Sequence, residues 1–270
     1  MSWGGAALAL ALAALLVVRL RTLLTYFQQE EYDAARFAAA IGRVRLYDVT
    51  ASAALLATAA LGLLSPLFNW LGAAALLAIA WRERGYRYKK PLVMTERARR
   101  IYAVALALMV VPAGLAALSP LIGVAAVQAA PLALVAANAA LQPLQERINR
   151  RFQEAAQAKL KRMDPVRIGI TGSFGKTTVK HILAEMLEVS GPVFYSRGSI
   201  NTVLGLTRHI RQRLQWGHRY FVAEMGAYGI GSIQRLSRFV EPDYGIVTAV
   251  GDAHTERFGS VENIAIAKCE

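Results

Sequence analysis

Residues Arg167–Leu187 read RIGITGSFGKTTVKHILAEML. A short apolar strand, Val166–Ile170, leads into Thr171-Gly172-Ser173-Phe174-Gly175-Lys176-Thr177-Thr178, and Val179–Leu187 follows with helical spacing. Strand, glycine loop and helix, in that order, make a phosphate cradle. The glycines let backbone N–H groups curl around phosphate oxygens, and the helix N-terminus adds partial positive charge. In that geometry Lys176 reaches the β- and γ-phosphates of ATP and the Thr177 hydroxyl ligates Mg²⁺. The strict pattern asks for glycine five residues before Gly175, where this chain has Ile170.

Upstream the composition changes. The chain has 270 residues, 55% of them hydrophobic, with a mean hydropathy of +0.35, and its apolar residues crowd into the first 142 positions. Five apolar runs stand out: Gly4–Leu24, Val49–Leu64, Leu67–Trp81, Ile101–Leu118 and Leu121–Leu141. A helix needs about 20 apolar residues to cross the hydrocarbon core of a bilayer. The first, fourth and fifth runs meet that length; the second and third are short. Soluble helices carry a charged face and these runs carry almost no charge, which argues against a soluble alanine-rich bundle. No basic residue precedes the first run, so it does not read as a signal peptide; Arg19 and Arg21 stand at its far end, where long side chains snorkel to headgroups. The second and third runs are joined by LLSPLFNWLG and the fourth and fifth by ALSPLIGVAA, which reads as a weak repeat of two helical hairpins. Gln128 and Asn138, the polar exceptions in the fifth run, suit hydrogen bonding between helices.

The net charge is +13, and the cations gather between the apolar runs. That placement suits a membrane face better than a nucleic-acid groove, so no nucleic-acid partner is expected. The hairpin tips hold no Lys or Arg, whereas the stretches after the first, third and fifth runs are basic. The positive-inside tendency places the N-terminus outside and everything after Leu141 in the cytosol, as a multi-pass protein of the inner (cytoplasmic) membrane in contact with lipid. Residues 142–164 read as an amphipathic connector helix whose stripe is Leu144, Ile148, Phe152, Ala155 and Leu160, ended by Asp164-Pro165. One cysteine, Cys269, excludes an intrachain disulfide.

Four features downstream of the loop complete a pattern. Asn201 lies in SINTVLGL; Tyr220–Met225 is a strand ending in Glu224 and followed by Gly226-Ala227-Tyr228; Tyr244–Thr248 is a further strand running into GDAH with His254; and IAIAK ends in Lys268. Together with TGS-x-GKTT they resemble the Mur ligases, and EMGAY with GSI resembles the branch that adds D-alanyl-D-alanine. The resemblance covers about Val166–Glu270. It implies an α/β phosphate-loop central domain with a mostly parallel sheet, partial in this chain; the α-helical membrane domain before it is read from the apolar runs and stands where typical relatives have a soluble domain that binds the UDP end of the substrate. The expected division is residues 1–141 with about five helices, 142–164 as connector, and 165–270 as the ATP-binding part.

The resemblance also implies chemistry: ATP-driven amide formation through an acyl phosphate, with ATP and Mg²⁺ required. The expected substrates are a peptidoglycan precursor, or another envelope carboxylate, and an amino compound such as D-alanyl-D-alanine. Lys176, Glu224, His254 and Lys268 are the expected catalytic set; Thr171–Thr178 hold the nucleotide and Asn201 meets substrate. Thr177, Glu224, His254 and a carbamylated Lys268 are the expected metal ligands. The family's nucleotide domain continues past the lysine motif and a further domain binds the amine, so a fragment inactive alone is expected. Thr202, Val203 and Ser232 depart from the family's usual Asn, Glu and Glu, a difference that bears on the substrate more than on the nucleotide. The alternatives are a ligase acting on a lipid-linked or other envelope polymer, and a non-catalytic ATP-binding membrane module. A transporter ATPase lacks its acidic strand and signature helix. His181, His209 and His218 read as surface or packing residues, and Arg208, Arg211 and Arg213 as a solvated helix face.

Overall fold

The computed structural model describes residues 2–44, 48–86, 88, 90–252 and 258–270. The chain forms two compact units, 1–145 and 146–270.

The first unit is helical. It contains α1 (Trp3–Gln29), α2 (Ala34–Val44), α3 (Val49–Gly62), α4 (Phe68–Arg84), α5 (Glu96–Leu115) and the start of α6 (Pro120–Met163). Side-chain oxygens of Ser2, Asp48 and Thr95 accept from the N–H groups of Gly5, Ala51 and Ala98, capping α1, α3 and α5. α1 is the central helix, burying Leu8, Leu12, Leu15, Leu16, Leu20, Leu23, Leu24 and Phe27 and packing against α4 and α5. α3 and α4 approach closely because Gly72 leaves room for Thr58: a Cβ there would stand 2.3 Å from Thr58 Oγ1. Apolar side chains also cover the outside, with Leu71, Val110, Val111, Leu132 and Trp81 all exposed. α1, α5 and α6 are long and apolar enough to cross a membrane by length and composition, whereas α3 is a shorter apolar helix.

The two hairpin tips match in detail. Leu67 N–H donates to Ser65 Oγ and Leu121 N–H to Ser119 Oγ, each at 3.3 Å. Gln128 and Asn138 link helices: Gln128 Nε2 donates to Ser52 Oγ (2.8 Å), and Asn138 Oδ1 accepts from Arg97 (3.0 Å). Arg19 differs from its expected outward role. It turns inward to Asp48 (3.6 Å) and Glu83 (3.2 Å), with only 12% of its side chain exposed. A buried guanidinium needs carboxylate partners, and α4 and the N-cap of α3 supply them. α2 is a helix that no apolar run announced; it is short and amphipathic, burying Phe37, Ala40 and Ile41.

Residues 142–163 are helical as the C-terminal part of α6, which is continuous over 44 residues despite Pro131 and Pro143 within it. Its residues from Glu146 onward belong to the second unit. Of the expected stripe, Leu160 is buried and Ile148 half-buried, whereas Leu144, Phe152 and Ala155 are exposed and Ala156 is buried instead.

The second unit is α/β: β1 (Val166–Thr171), α7 (Lys176–Glu188), β2 (Val193–Tyr195), α8 (Val203–Arg213), β3 (Tyr220–Glu224), α9 (Ser232–Val240), β4 (Tyr244–Val247) and α10 (Val261–Lys268). All pairings are parallel, in the order β2-β3-β1-β4. Alternation along the strands splits the core. Ile168, Ile170 and Val222 face Val179, Leu183 and Leu187 of α7. Phe221 and Ala223 face the end of α6 with α8, α9 and α10. β1 has β3 on one side and β4 on the other, so the strand order reverses at its C-terminal end. Open parallel sheets bind ligands at that point.

Candidate functional site

The loop after β1 sits at this reversal. Gly172 and Gly175 have φ of +146° and +78°, which L side chains rarely adopt. Gly172 also has no room for a Cβ, since one would stand 2.0 Å from Thr248 Oγ1. The segment after β4 clamps the loop. Ser173 N–H donates to Ala249 O (2.7 Å), Ser173 Oγ to Gly251 O (3.1 Å) and Thr248 Oγ1 to Phe174 O (2.6 Å). The Lys176 ammonium folds over the loop and donates to Gly172 O at 2.7 Å. Thr171 Oγ1 is buried with no hydrogen-bond partner among the described residues. Phe174 is exposed and Thr178 begins α7 beside Thr177.

Lys176, Thr177 and Lys180 share the first turns of α7, and the latter two reach Glu224 at the end of β3. Thr177 Oγ1 donates to Glu224 Oε2 (2.9 Å), and Lys180 Nζ donates to the same oxygen (3.1 Å). Lys180 is 0% exposed and Glu224 1%. Lys180 also donates to Gly198 O. Asn201 Nδ2 donates to Glu224 Oε1 at 3.4 Å, and its Oδ1 accepts from Tyr228 OH at 3.0 Å. Asn201, expected to meet substrate, thus has its amide engaged in holding Glu224 and Tyr228. The Glu224 N–H donates to Ser196 Oγ (3.3 Å). A carboxylate so thoroughly buried needs this many donors.

Lys268 lies near the end of α10 and is buried. Burial, then the neighbouring Lys176 charge, hold its ammonium below the usual lysine range. His254 lies outside the described residues. Ser232, which replaces the family's usual Glu, is buried and accepts from Tyr228 N–H (3.2 Å). Thr202 caps α8 by accepting from Gly205 N–H (3.2 Å). Lys180 was not foreseen. Its one sequence signal is the four-residue spacing from Lys176, which places both on one helix face.

Positive-φ glycines, a lysine over the loop, and a hydroxyl and a carboxylate meeting at the next strand define a class: a parallel α/β domain of the phosphate-loop type. Residues 170–270 match the model of the Mur ligase middle domain. Among similar curated proteins is the UDP-N-acetylmuramoyl-tripeptide--D-alanyl-D-alanine ligase of Synechocystis sp. It is 39% identical over 103 residues, which are 38% of this chain and 22% of the relative. The enzyme of the same name from Bacillus subtilis is 36% identical over 119 residues, 44% of this chain and 26% of the relative. A similar solved structure is MurF from Thermotoga maritima in complex with ADP, 36% identical, with a TM-score of 0.43 over 44% of this chain and 28% of that one. The chain spans about a quarter of the length of these curated relatives.

Proposed function

We propose that the chain is an ATP-dependent carboxylate–amine ligase of cell-wall precursor synthesis, held at the cytoplasmic membrane by its helical unit. Its substrates on this reading are UDP-N-acetylmuramoyl-tripeptide and D-alanyl-D-alanine. The observation that carries the proposal is the convergence of Lys176, Thr177, Lys180 and Asn201 around the loop and Glu224.

The residues fit the groups the reaction needs. Lys176 and the N-terminus of α7 meet phosphate charge, and the unpartnered Thr171 hydroxyl is a spare donor beside them. Thr177 Oγ1 and Glu224 are oxygen donors of the kind Mg²⁺ prefers. When bound, Mg²⁺ supplies the positive charge that lets a carboxylate approach a triphosphate. Lys180 and Asn201 fix the Glu224 carboxylate, so its orientation is set before any ligand arrives. Lys268, with its lowered affinity for a proton, holds more neutral amine than an ordinary lysine, which suits carbamylation. For the membrane reading the support is the apolar exterior of the first unit and three helices of spanning length.

The test is product formation from ATP, UDP-N-acetylmuramoyl-tripeptide and D-alanyl-D-alanine, followed by mass spectrometry, by this chain fused to the downstream residues of a Mur ligase relative. The expected result is a ligated pentapeptide, abolished by Lys176→Ala. ATP binding with no product from this substrate pair would refute the ligase reading and leave a nucleotide-binding membrane module.

A further inference from the structure

A second polar cavity, of about 460 Å³, opens at the β2 edge of the sheet. Arg197, His209, Gln212, Arg213, Gln215 and His218 supply its polar wall, and Phe194 its apolar floor. No aspartate or glutamate lines it. Neither guanidinium has a carboxylate ion-pair partner among the described residues. His209 is the built part of the wall. Its ring stacks on Phe194 with centroids 5.0 Å apart, it is 6% exposed, and its Nε2 is buried with no partner. A buried polar nitrogen left without a partner is costly, and His209 shares this wall with Arg197 and Arg213, whose guanidinium donors an arriving anion would meet.

We infer that this cavity is a binding site for a phosphate-bearing ligand, distinct from the nucleotide loop. Two guanidiniums, two amides and two imidazoles offer more donors than one carboxylate accepts, and arginine forks match phosphate oxygens in pairs. The volume admits an organic phosphate or a diphosphate rather than a lone phosphate ion. The 196–201 segment separates the two sites. Its Ser196 accepts from Glu224 N–H and its Gly198 carbonyl accepts from Lys180, while Arg197 between them lines the cavity. A ligand that draws on Arg197 therefore pulls on the segment that orients Glu224. Burial holds His209 below the usual imidazole range. The Tyr195 backbone hydrogen bond opposes this, and the charges of Arg213, Arg197 and Lys180 reinforce it. An anion offsets those charges, so binding places a proton on the ring and strengthens as pH falls towards the unperturbed histidine range.

Calorimetric titration of the detergent-solubilised full chain with inorganic pyrophosphate tests the inference. Binding is expected to survive Lys176→Ala, which strips the nucleotide loop, and to weaken at least tenfold in Arg213→Ala, the scale of one lost charge-assisted hydrogen bond. Arg213 is exposed, so circular dichroism of that variant should match the parent. The ratio of parent to His209→Gln affinity should grow as pH falls from 8 to 6. Competition by a nucleoside diphosphate sugar assigns the site to a substrate's diphosphate, and competition by inorganic phosphates alone assigns it to a free phosphate ligand; both uphold it. The inference fails if pyrophosphate binding disappears in Lys176→Ala, is unchanged in Arg213→Ala, or is displaced equally well by acetate. Survival of pyrophosphate binding in Lys176→Ala also separates this inference from the ligase proposal, which the same substitution is expected to disable.

Discussion

Glu224 and Lys180 form the ion pair on which the site's order depends, and both are almost wholly removed from water. Breaking a buried pair by removing one partner costs far more than the pair contributes, because the survivor is left charged in a poor solvent. Lys180→Met is therefore expected to lower unfolding stability by about 3–5 kcal/mol. Adding Glu224→Gln should recover much of that loss. A single variant as stable as the parent in denaturant titration would show that the pair is not formed. Lys268 supports a second test at this scale. Its lowered proton affinity predicts a carbamate carbon signal in spectra of protein equilibrated with ¹³C-bicarbonate, absent in Lys268→Arg. Equal spectra would count against the carbamylated ligand. The placement of Lys176 on the loop and of Thr177 near Glu224 was legible in the sequence because a short spacing pattern sets those positions. Lys180 was not, because a lysine on a helix reads as solvated until the strand bearing its partner, 44 residues away, is folded beside it.

Among the elements, the loop between β1 and α7 is held in place from outside by the residues after β4. Gly172→Ala would place a methyl group against Thr248 in a backbone conformation that alanine rarely adopts. The expected cost is roughly 1–3 kcal/mol, read from thermal unfolding. β1 and β4 are also joined at their entry by Arg167 and Asp243. The Arg167 N–H (2.8 Å) and guanidinium (3.2 Å) both donate to the Asp243 carboxylate. The backbone hydrogen bond, then the side-chain one, hold Asp243 below the usual carboxylate range. A depressed acid stabilises the fold above its unfolded pKa and loses that effect as pH falls through the folded one. Asp243→Asn should therefore be less stable than the parent at neutral pH, and the gap should close in acid; a gap independent of pH would contradict this. Helix positions were legible wherever apolar runs were long, as in α1 and α5. α2 was missed because three buried side chains in a short helix leave no run to see. The inward turn of Arg19 was hidden because its partners Asp48 and Glu83 lie far along the chain.

At the scale of the whole molecule, the composition shift near residue 142 separated the apolar part from the α/β part, but not the way one helix passes through that shift. α6 carries both an apolar stretch and a polar one, and a change of composition does not end a helix whose hydrogen bonds continue. If the helical unit resides in the membrane with the α/β unit in the cytosol, Cys269, exposed and the single cysteine, reports the side. A membrane-impermeant maleimide should label it only after cells are permeabilised, and labelling of intact cells would place that unit outside. The most direct measurement of the central claim is the affinity of the full chain for Mg-ATP, taken by calorimetry on the parent, Lys176→Ala and Gly172→Ala. Micromolar-range binding in the parent, weakened on the order of 100-fold when the Lys176 charge is removed, is the predicted result. Equal affinity in all three proteins would contradict the account, because it would mean that nucleotide phosphates do not rest on this loop.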